Sequence, residues 1–98
     1  MIRHIFIATI KKDVSDELIE TKMVEMRAMK DSVPEIENIW VGRSIGYAGD
    51  SNTVSMIVDV KDKAAFDALL ASKAHTEVAA KADEAFRADN FVLSQIEI

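Results

Sequence analysis

The first ten residues place apolar side chains on both faces of an extended chain. From Ile2 to Ile10, one set of alternate positions includes His4 and Phe6, and the other includes Ile5 and Ile7. A strand with one face in water shows a single apolar face, so this pattern predicts a strand that is covered on both sides. Thr53 to Val60 again has apolar side chains on both faces and is predicted to be a second central strand.

After the first strand, apolar residues recur with a spacing near 3.6 residues, which is typical of an amphipathic helix. Ser15 is a suitable N-cap, and Asp16 and Glu17 supply the negative charge that a helix N-terminus favours. Pro34 predicts the end, because the residue before proline disfavours helical geometry. We therefore predict a helix from about Asp16 to Ser32 with one apolar face. That face consists of Leu18, Ile19, Met23, Met26, Met29 and Val33.

The rest of the chain predicts two more strands and a pair of helices. Ile36 to Ser44 is β-rich, and the turn-rich stretch Gly46 to Asn52 suits a hairpin to the next strand. Asp62 is a suitable cap for a short helix, and an alanine-rich helix is predicted from about Ser72 to Arg87. Phe91 to Ile98 alternates well and is predicted to be the last strand.

The predicted order is strand, helix, strand, strand, helix pair, strand. This is the βαββαβ arrangement of an α+β, ferredoxin-like sandwich with a four-stranded antiparallel sheet, and we expect one domain over residues 1–98. With the helices on one face, the other face carries Ile5, Ile7 and Ile57, an apolar patch that requires a cover. We therefore expect a homodimer in which two sheets pack face to face as an α+β barrel.

Charge and composition narrow the class of partner. The 98 residues carry 12 Lys and Arg against 17 Asp and Glu, a net charge of −5 with no basic cluster, which argues against nucleic acid and anionic membranes. The chain has no cysteine and therefore no disulfide or thiol nucleophile. Its apolar runs are too short for a bilayer span or a signal peptide, and we predict a cytoplasmic protein.

The residues also resemble a known family. The stretch I-R-H-I at Ile2 to Ile5, V-G-R at Val41 to Arg43 and the pair Ala74-His75 resemble the Dabb family, the stress-responsive dimeric α/β-barrel domain, over essentially the whole chain. The family often has H-P-x-H at its second histidine, preceded by a tyrosine in some members. Here Ser72 and Lys73 replace the first histidine and the proline, and Leu69 stands at the tyrosine position.

The resemblance implies a homodimeric barrel with a cavity between sheet and helices in each subunit. In related polyketide cyclases, histidines at the positions of His4 and His75 are linked to proton transfer. Most members have no assigned reaction, so the resemblance implies less about activity than about fold.

His4 and His75 are the only histidines of the chain and the main candidate catalytic residues. His4 shares a strand face with Phe6. His75 comes just before the apolar residues on the packing side of its helix, so both histidines could point into one cavity. An imidazole pKa near 6.5 suits proton abstraction and return. The alternative is that each histidine is a hydrogen-bonded core residue, or that His75 simply begins a helix.

Four residues are candidates for binding a small hydrophobic or aromatic molecule. Phe6 shares the face of His4, Trp40 and Tyr47 could supply aromatic walls, and Met26 offers a deformable side chain. The alternatives are ordinary core packing for Trp40 and Met26 and an exposed loop position for Tyr47. Arg43 could bind a carboxylate, although an ion pair is the commoner role.

No cofactor or metal is expected. The glycines at 42, 46 and 49 lack the spacing of a dinucleotide or phosphate loop, and the histidines and carboxylates lack ligand spacing. The leading hypothesis is cofactor-free proton transfer, cyclisation or isomerisation by His4 and His75. The alternatives are a non-catalytic stress-responsive module that binds a ligand or a protein, and a cofactor-independent monooxygenase of the same fold.

Overall fold

The computed structural model describes every residue from Met1 to Ile98 and has four strands and three helices. The elements in chain order are β1 (Ile2–Thr9), α1 (Asp16–Ser32), β2 (Ile36–Arg43), β3 (Thr53–Val60), α2 (Lys63–Ala71), α3 (Lys73–Ala80) and β4 (Val92–Glu97), with one 3-10 turn at Ala82–Glu84 between α3 and β4. The strands form one antiparallel sheet in the order β2-β3-β1-β4. The predicted α+β, ferredoxin-like fold is therefore confirmed.

The sheet places β1 and β3 at its centre, as the apolar character of both faces predicts. The two strands pair along their whole length, from Ile2 opposite Val60 to Thr9 opposite Thr53. β4 pairs with the other edge of β1 and has no further neighbour, so it is an edge strand. Its side chains are all exposed in a single chain.

α1 begins and ends where the sequence predicts. Ser15 Oγ accepts a hydrogen bond from the Leu18 N–H at 3.1 Å, and the Val33 N–H closes the last turn on the Met29 carbonyl. The buried face of the helix packs toward the sheet, which removes its apolar side chains from water. It comprises Ile19, Lys22, Met23, Met26 and Met29.

The helical prediction for Ser72 to Arg87 is wrong in its second half. α3 ends at Ala80, the 3-10 turn follows, and Ala85 to Arg87 runs beside the end of β1. The Arg87 N–H donates to the Thr9 carbonyl at 2.9 Å, and the Lys11 N–H donates to the Ala85 carbonyl at 2.8 Å. Phe86 is completely buried in this position, so long-range pairing and burial override the local helix propensity of the alanines.

The two faces of the sheet differ in character. The inner face packs on α1, α2 and α3 and contains most of the hydrophobic core. The outer face carries Ile5, Ile7 and Ile57, each half-buried, together with Trp40, whose exposed fraction is 50%. These side chains form a continuous apolar surface around the central strands, which we call the outer apolar face.

An ion pair lies at one end of the outer apolar face. Arg3 donates from Nε to Asp59 Oδ1 at 2.8 Å and from Nη2 to Oδ2 at 3.0 Å, and Asn38 donates to the same Oδ2 at 3.3 Å. The Arg3 guanidinium also stacks 5.2 Å from the centre of the Trp40 ring. The hydrogen bonds from Arg3 are the main reason that the pKa of Asp59 lies below its ordinary value of 3.8, against the opposing effect of burial.

Asp59→Asn is expected to destabilise the fold by about 2 kcal/mol at neutral pH, because the charge-assisted bonds to Arg3 are lost. Since the pKa of Asp59 is lower in the folded protein, its stabilising effect is present above pH 4 and disappears as the pH falls further. Urea unfolding of both proteins between pH 3 and 7 should therefore converge at the acid end.

Asp89→Asn is the matched control for this measurement. Asp89 pairs with Arg87 through two similar bonds of 3.1 and 3.3 Å, but both side chains are more than half exposed. An exposed pair contributes little to stability. Equal decreases in the free energy of unfolding of the two variants would contradict a larger contribution from the buried Asp59.

Candidate functional site

A cavity lies between the inner face of the sheet and the α2–α3 pair. Its volume is about 260 Å3, and thirteen residues form its walls. Eleven of them are hydrophobic, and the other two are His4 and His75. The hydrophobic residues are Phe6, Met26, Met29, Met56, Phe66, Leu70, Val78, Ala79, Ala82, Phe91 and Leu93.

His4 reaches the cavity from the middle of the sheet. It lies on β1 between Val58 of β3 and Gln95 of β4 and shares the inner face with Phe6. Its exposed fraction is 5%, and its ring meets the Phe66 ring edge-on with centres 5.1 Å apart. The Nδ1 atom of His4 lies 3.0 Å from Nε2 of Gln95. The ring is therefore held by one polar contact and one aromatic contact.

His75 reaches the same cavity because the helical region breaks at Ser72. The Ser72 hydroxyl donates to the Leu69 carbonyl at 2.7 Å and accepts from the His75 N–H at 3.1 Å, so it ends α2 and caps α3. This double role fixes the position of the first turn of α3 relative to the end of α2. Ser72 thus holds the main chain of His75 at the start of α3.

The surroundings of His4 favour its uncharged form. Burial first, and then the charge of His75, lower the pKa of His4 below its ordinary value of 6.5. A neutral imidazole can accept a proton on one nitrogen and donate one from the other. Because the unfolded chain takes up this proton at higher pH than the folded one, His4 reduces stability as the pH falls below 6.5.

The structure brings four of the six predicted site residues together and leaves two elsewhere. His4, His75, Phe6 and Met26 line the cavity. Trp40 lies on the outer apolar face, because alternation along β2 groups it with Asn38 rather than with the inward Ile39. Tyr47 lies in the loop after β2, and its exposed fraction is 90%.

Arg43 forms an ion pair rather than facing the cavity. Its Nη1 donates to Asp16 Oδ1 at 2.9 Å, which ties the end of β2 to the first turn of α1.

Nine of the thirteen wall residues were not predicted as site residues, and neither was Gln95. Phe66 and Phe91 supply aromatic walls, and Gln95 contacts His4 from a position 91 residues away. The alternation of residues along β4 indicates which of its side chains share a face. Which residue of β4 lies beside His4 depends on the antiparallel register, which the sequence does not state.

The chain also matches the profile of a known protein family. The profile of the stress responsive A/B barrel domain, Dabb, matches residues 2–93. The chain belongs to the Dabb family. No curated protein is significantly similar to it in sequence.

Several solved structures share the fold of this Dabb protein. A dimeric ferredoxin-like protein of unknown function from Thermobifida fusca has 20% identity and a TM-score of 0.86, over 99% of this chain and 90% of that one. A hydroxynitrile lyase from Passiflora edulis has 20% identity and a TM-score of 0.85, over 99% of this chain and 92% of that one. An antibiotic biosynthesis monooxygenase has 15% identity and a TM-score of 0.81, over 100% of this chain and 98% of that one. Likeness at these identities shows the shared fold.

Two further features of the Dabb chain bear on partners. None of its helices combines the length and the hydropathy that crossing a bilayer requires. No group of three or more histidine, aspartate or glutamate side chains is placed to hold a metal ion.

Proposed function

We propose that this Dabb protein is a homodimeric barrel that binds a small hydrophobic or aromatic molecule in the cavity of each subunit and transfers a proton with His4 and His75. The observation that carries the proposal is the composition of the cavity wall, in which two imidazoles are the only polar side chains among hydrocarbon and thioether groups. Such a site orients an apolar ligand by its few polar groups.

The size of the cavity limits the ligand. A dry cavity of roughly 150 Å3 accepts benzene, and typical drug-sized pockets begin at roughly 300 Å3. A volume of about 260 Å3 therefore suits one aromatic ring with short substituents, or an open-chain compound of similar size. The walls contain no Lys, Arg, Asp or Glu, so an uncharged ligand is favoured.

The chemistry follows from two imidazoles around one apolar ligand. One neutral imidazole removes a proton from an acidic C–H or O–H group, and the other, in its protonated form, returns a proton to a different atom. The ligand is isomerised or cyclised, and the two histidines exchange protonation states that solvent then restores. Proton transfer by a positioned side chain typically accelerates a reaction roughly 10²- to 10⁴-fold.

The homodimer is supported by the outer apolar face and by the Thermobifida fusca neighbour, which is described as dimeric. A second copy would cover Ile5, Ile7, Trp40 and Ile57 with an identical surface, as a two-fold axis requires. The α+β barrel would then enclose these side chains, while the histidine cavities lie on the opposite, helical side of each sheet.

Binding is tested by NMR of the methionine methyl groups with a panel of monocyclic phenols, short β-diketones and an aromatic cyanohydrin. The cyanohydrin is included because loss of cyanide from it begins with removal of the hydroxyl proton. Ligand in the cavity should shift the methyl signals of Met26, Met29 and Met56, which line it, more than those of Met1 and Met23, which do not.

Val78→Phe should weaken the binding of any active compound at least tenfold, because the larger ring occupies the cavity. Ala80→Phe adds the same ring on the exposed side of α3 and should leave affinity unchanged. If no compound shifts the three methyl signals, or if Val78→Phe binds like the natural protein, the cavity is not a ligand site. A non-catalytic module that binds a protein partner is then the better description.

A further inference from the structure

Gln95 is the polar neighbour of a histidine that is otherwise surrounded by apolar groups. It lies directly opposite His4 in the antiparallel pairing of β1 and β4, on the same inner face. Its Nε2 atom is 3.0 Å from His4 Nδ1, which is the one side-chain hydrogen bond that the His4 ring makes. Gln95 is the only glutamine of the chain and stands on an edge strand, where any polar residue would be compatible with water.

We infer that Gln95 is a positioning residue that holds the His4 ring through Nδ1 and thereby selects the tautomer in which His4 faces the cavity. The inference deepens the proposed function, since it concerns the same site. The contact itself and the titration of His4 do not depend on any substrate.

An amide suits this task because it is neutral in both of its orientations. The amide NH2 group can donate to a bare Nδ1, or the amide oxygen can accept from a protonated Nδ1, and either bond leaves Nε2 in the complementary state. Neither orientation places a negative charge beside the ring. A carboxylate at this position would instead stabilise the imidazolium and raise the pKa of His4.

The other charged groups around His4 are few. The cavity walls come from β1, β3, β4, the three helices and the 3-10 turn, and His75 is their only other titratable residue. Glu97 is two residues farther along the inner face of β4 and is exposed. Lys22, one helical turn before Met26, is paired with Glu84. Gln95 is thus the position at which a single change brings a charge into contact with the ring.

The chain makes the experiment simple, because its two histidines give only two sets of ring signals. A pH titration followed by ring 13C and 15N NMR gives the pKa and the tautomer of each. In the natural protein we expect His4 to titrate below 6.5 as one dominant tautomer. In Gln95→Glu the pKa of His4 should rise by about one unit or more, because an adjacent carboxylate stabilises the charged form of the imidazole.

Two further variants separate the positioning of the His4 ring by Gln95 from a general effect of net charge. Gln95→Glu/Glu97→Gln has the net charge of the natural protein, −5, and should show the same rise in the pKa of His4. Gln95→Met removes the hydrogen bond at nearly constant length; the pKa of His4 should stay below 6.5, but the 15N shifts should report a mixture of tautomers. Folding of each variant is checked by the Met23 and Met29 methyl signals.

The inference is overturned if Gln95→Glu and Gln95→Met leave both the pKa and the tautomer of His4 unchanged in folded protein. Where a substrate is available, the rate against pH should move with the pKa of His4 in Gln95→Glu, and Gln95→Met should lower kcat more than it raises KM. If the titration changes as expected but no ligand binds, Gln95 positions His4 and the proposed function fails by itself.

Discussion

Ile57→Glu is expected to convert the proposed homodimer to a monomer. Ile57 lies at the centre of the outer apolar face, beside Ile5 and Trp40 on the neighbouring strands. A two-fold interface would bury the new carboxylate twice, and an unpaired buried charge costs several kcal/mol. The dissociation constant should therefore rise by at least about 10³-fold. Sedimentation equilibrium at several protein concentrations measures the change, and Ile5→Glu should behave in the same way.

Val24→Glu is the matched control for the dimer. Val24 is also a large apolar side chain, with an exposed fraction of 54%, but it lies on α1, away from the outer apolar face. The same substitution there should leave the assembly unchanged. If Ile57→Glu and Ile5→Glu both remain dimers, the sheets do not meet face to face and another surface carries the association.

His4→Ala and His75→Ala are each expected to lower kcat for a demonstrated substrate by about 10²- to 10⁴-fold, because each removes one partner in the proton transfer. Affinity for the ligand should change much less, since the hydrophobic walls remain in place. Steady-state kinetics combined with methionine methyl titration separates the two effects.

Tyr47→Phe serves as the control for turnover. The Tyr47 side chain is almost completely exposed, outside the cavity, so its hydroxyl should be irrelevant to turnover. Unchanged kcat in both folded histidine variants would favour the non-catalytic module over the enzyme. A loss of kcat in Tyr47→Phe would mean that the loop after β2 takes part in the site.

Local patterns predicted most of the fold because the relevant signals lie close together in sequence. Ser15 and Pro34 mark the ends of α1, and Thr53 to Val60 is predicted with the bounds of β3. The region after α3 was not predictable in this way. Phe86 leaves the helical pattern because it pairs with Ile10, 76 positions away, and is buried there.

The site was predictable only in part, for a similar reason. Strand parity placed His4 and Phe6 on one face, and the same rule applied to β2 would have placed Trp40 on the other. The contact of His4 with Gln95 needs the register of β1 and β4, and its contact with Phe66 needs the packing of α2 on the sheet. Neither is fixed by residues near His4 in sequence.

The proposed function requires that His4 and His75 face one cavity that takes a small apolar ligand. The most direct test is a crystal structure of the protein soaked with the same monocyclic phenols, short β-diketones and aromatic cyanohydrin. We expect a ligand between the two imidazoles, against Phe6, Met26 and Phe66. Two histidines in separate, filled packing environments, with no ligand between them, would contradict it.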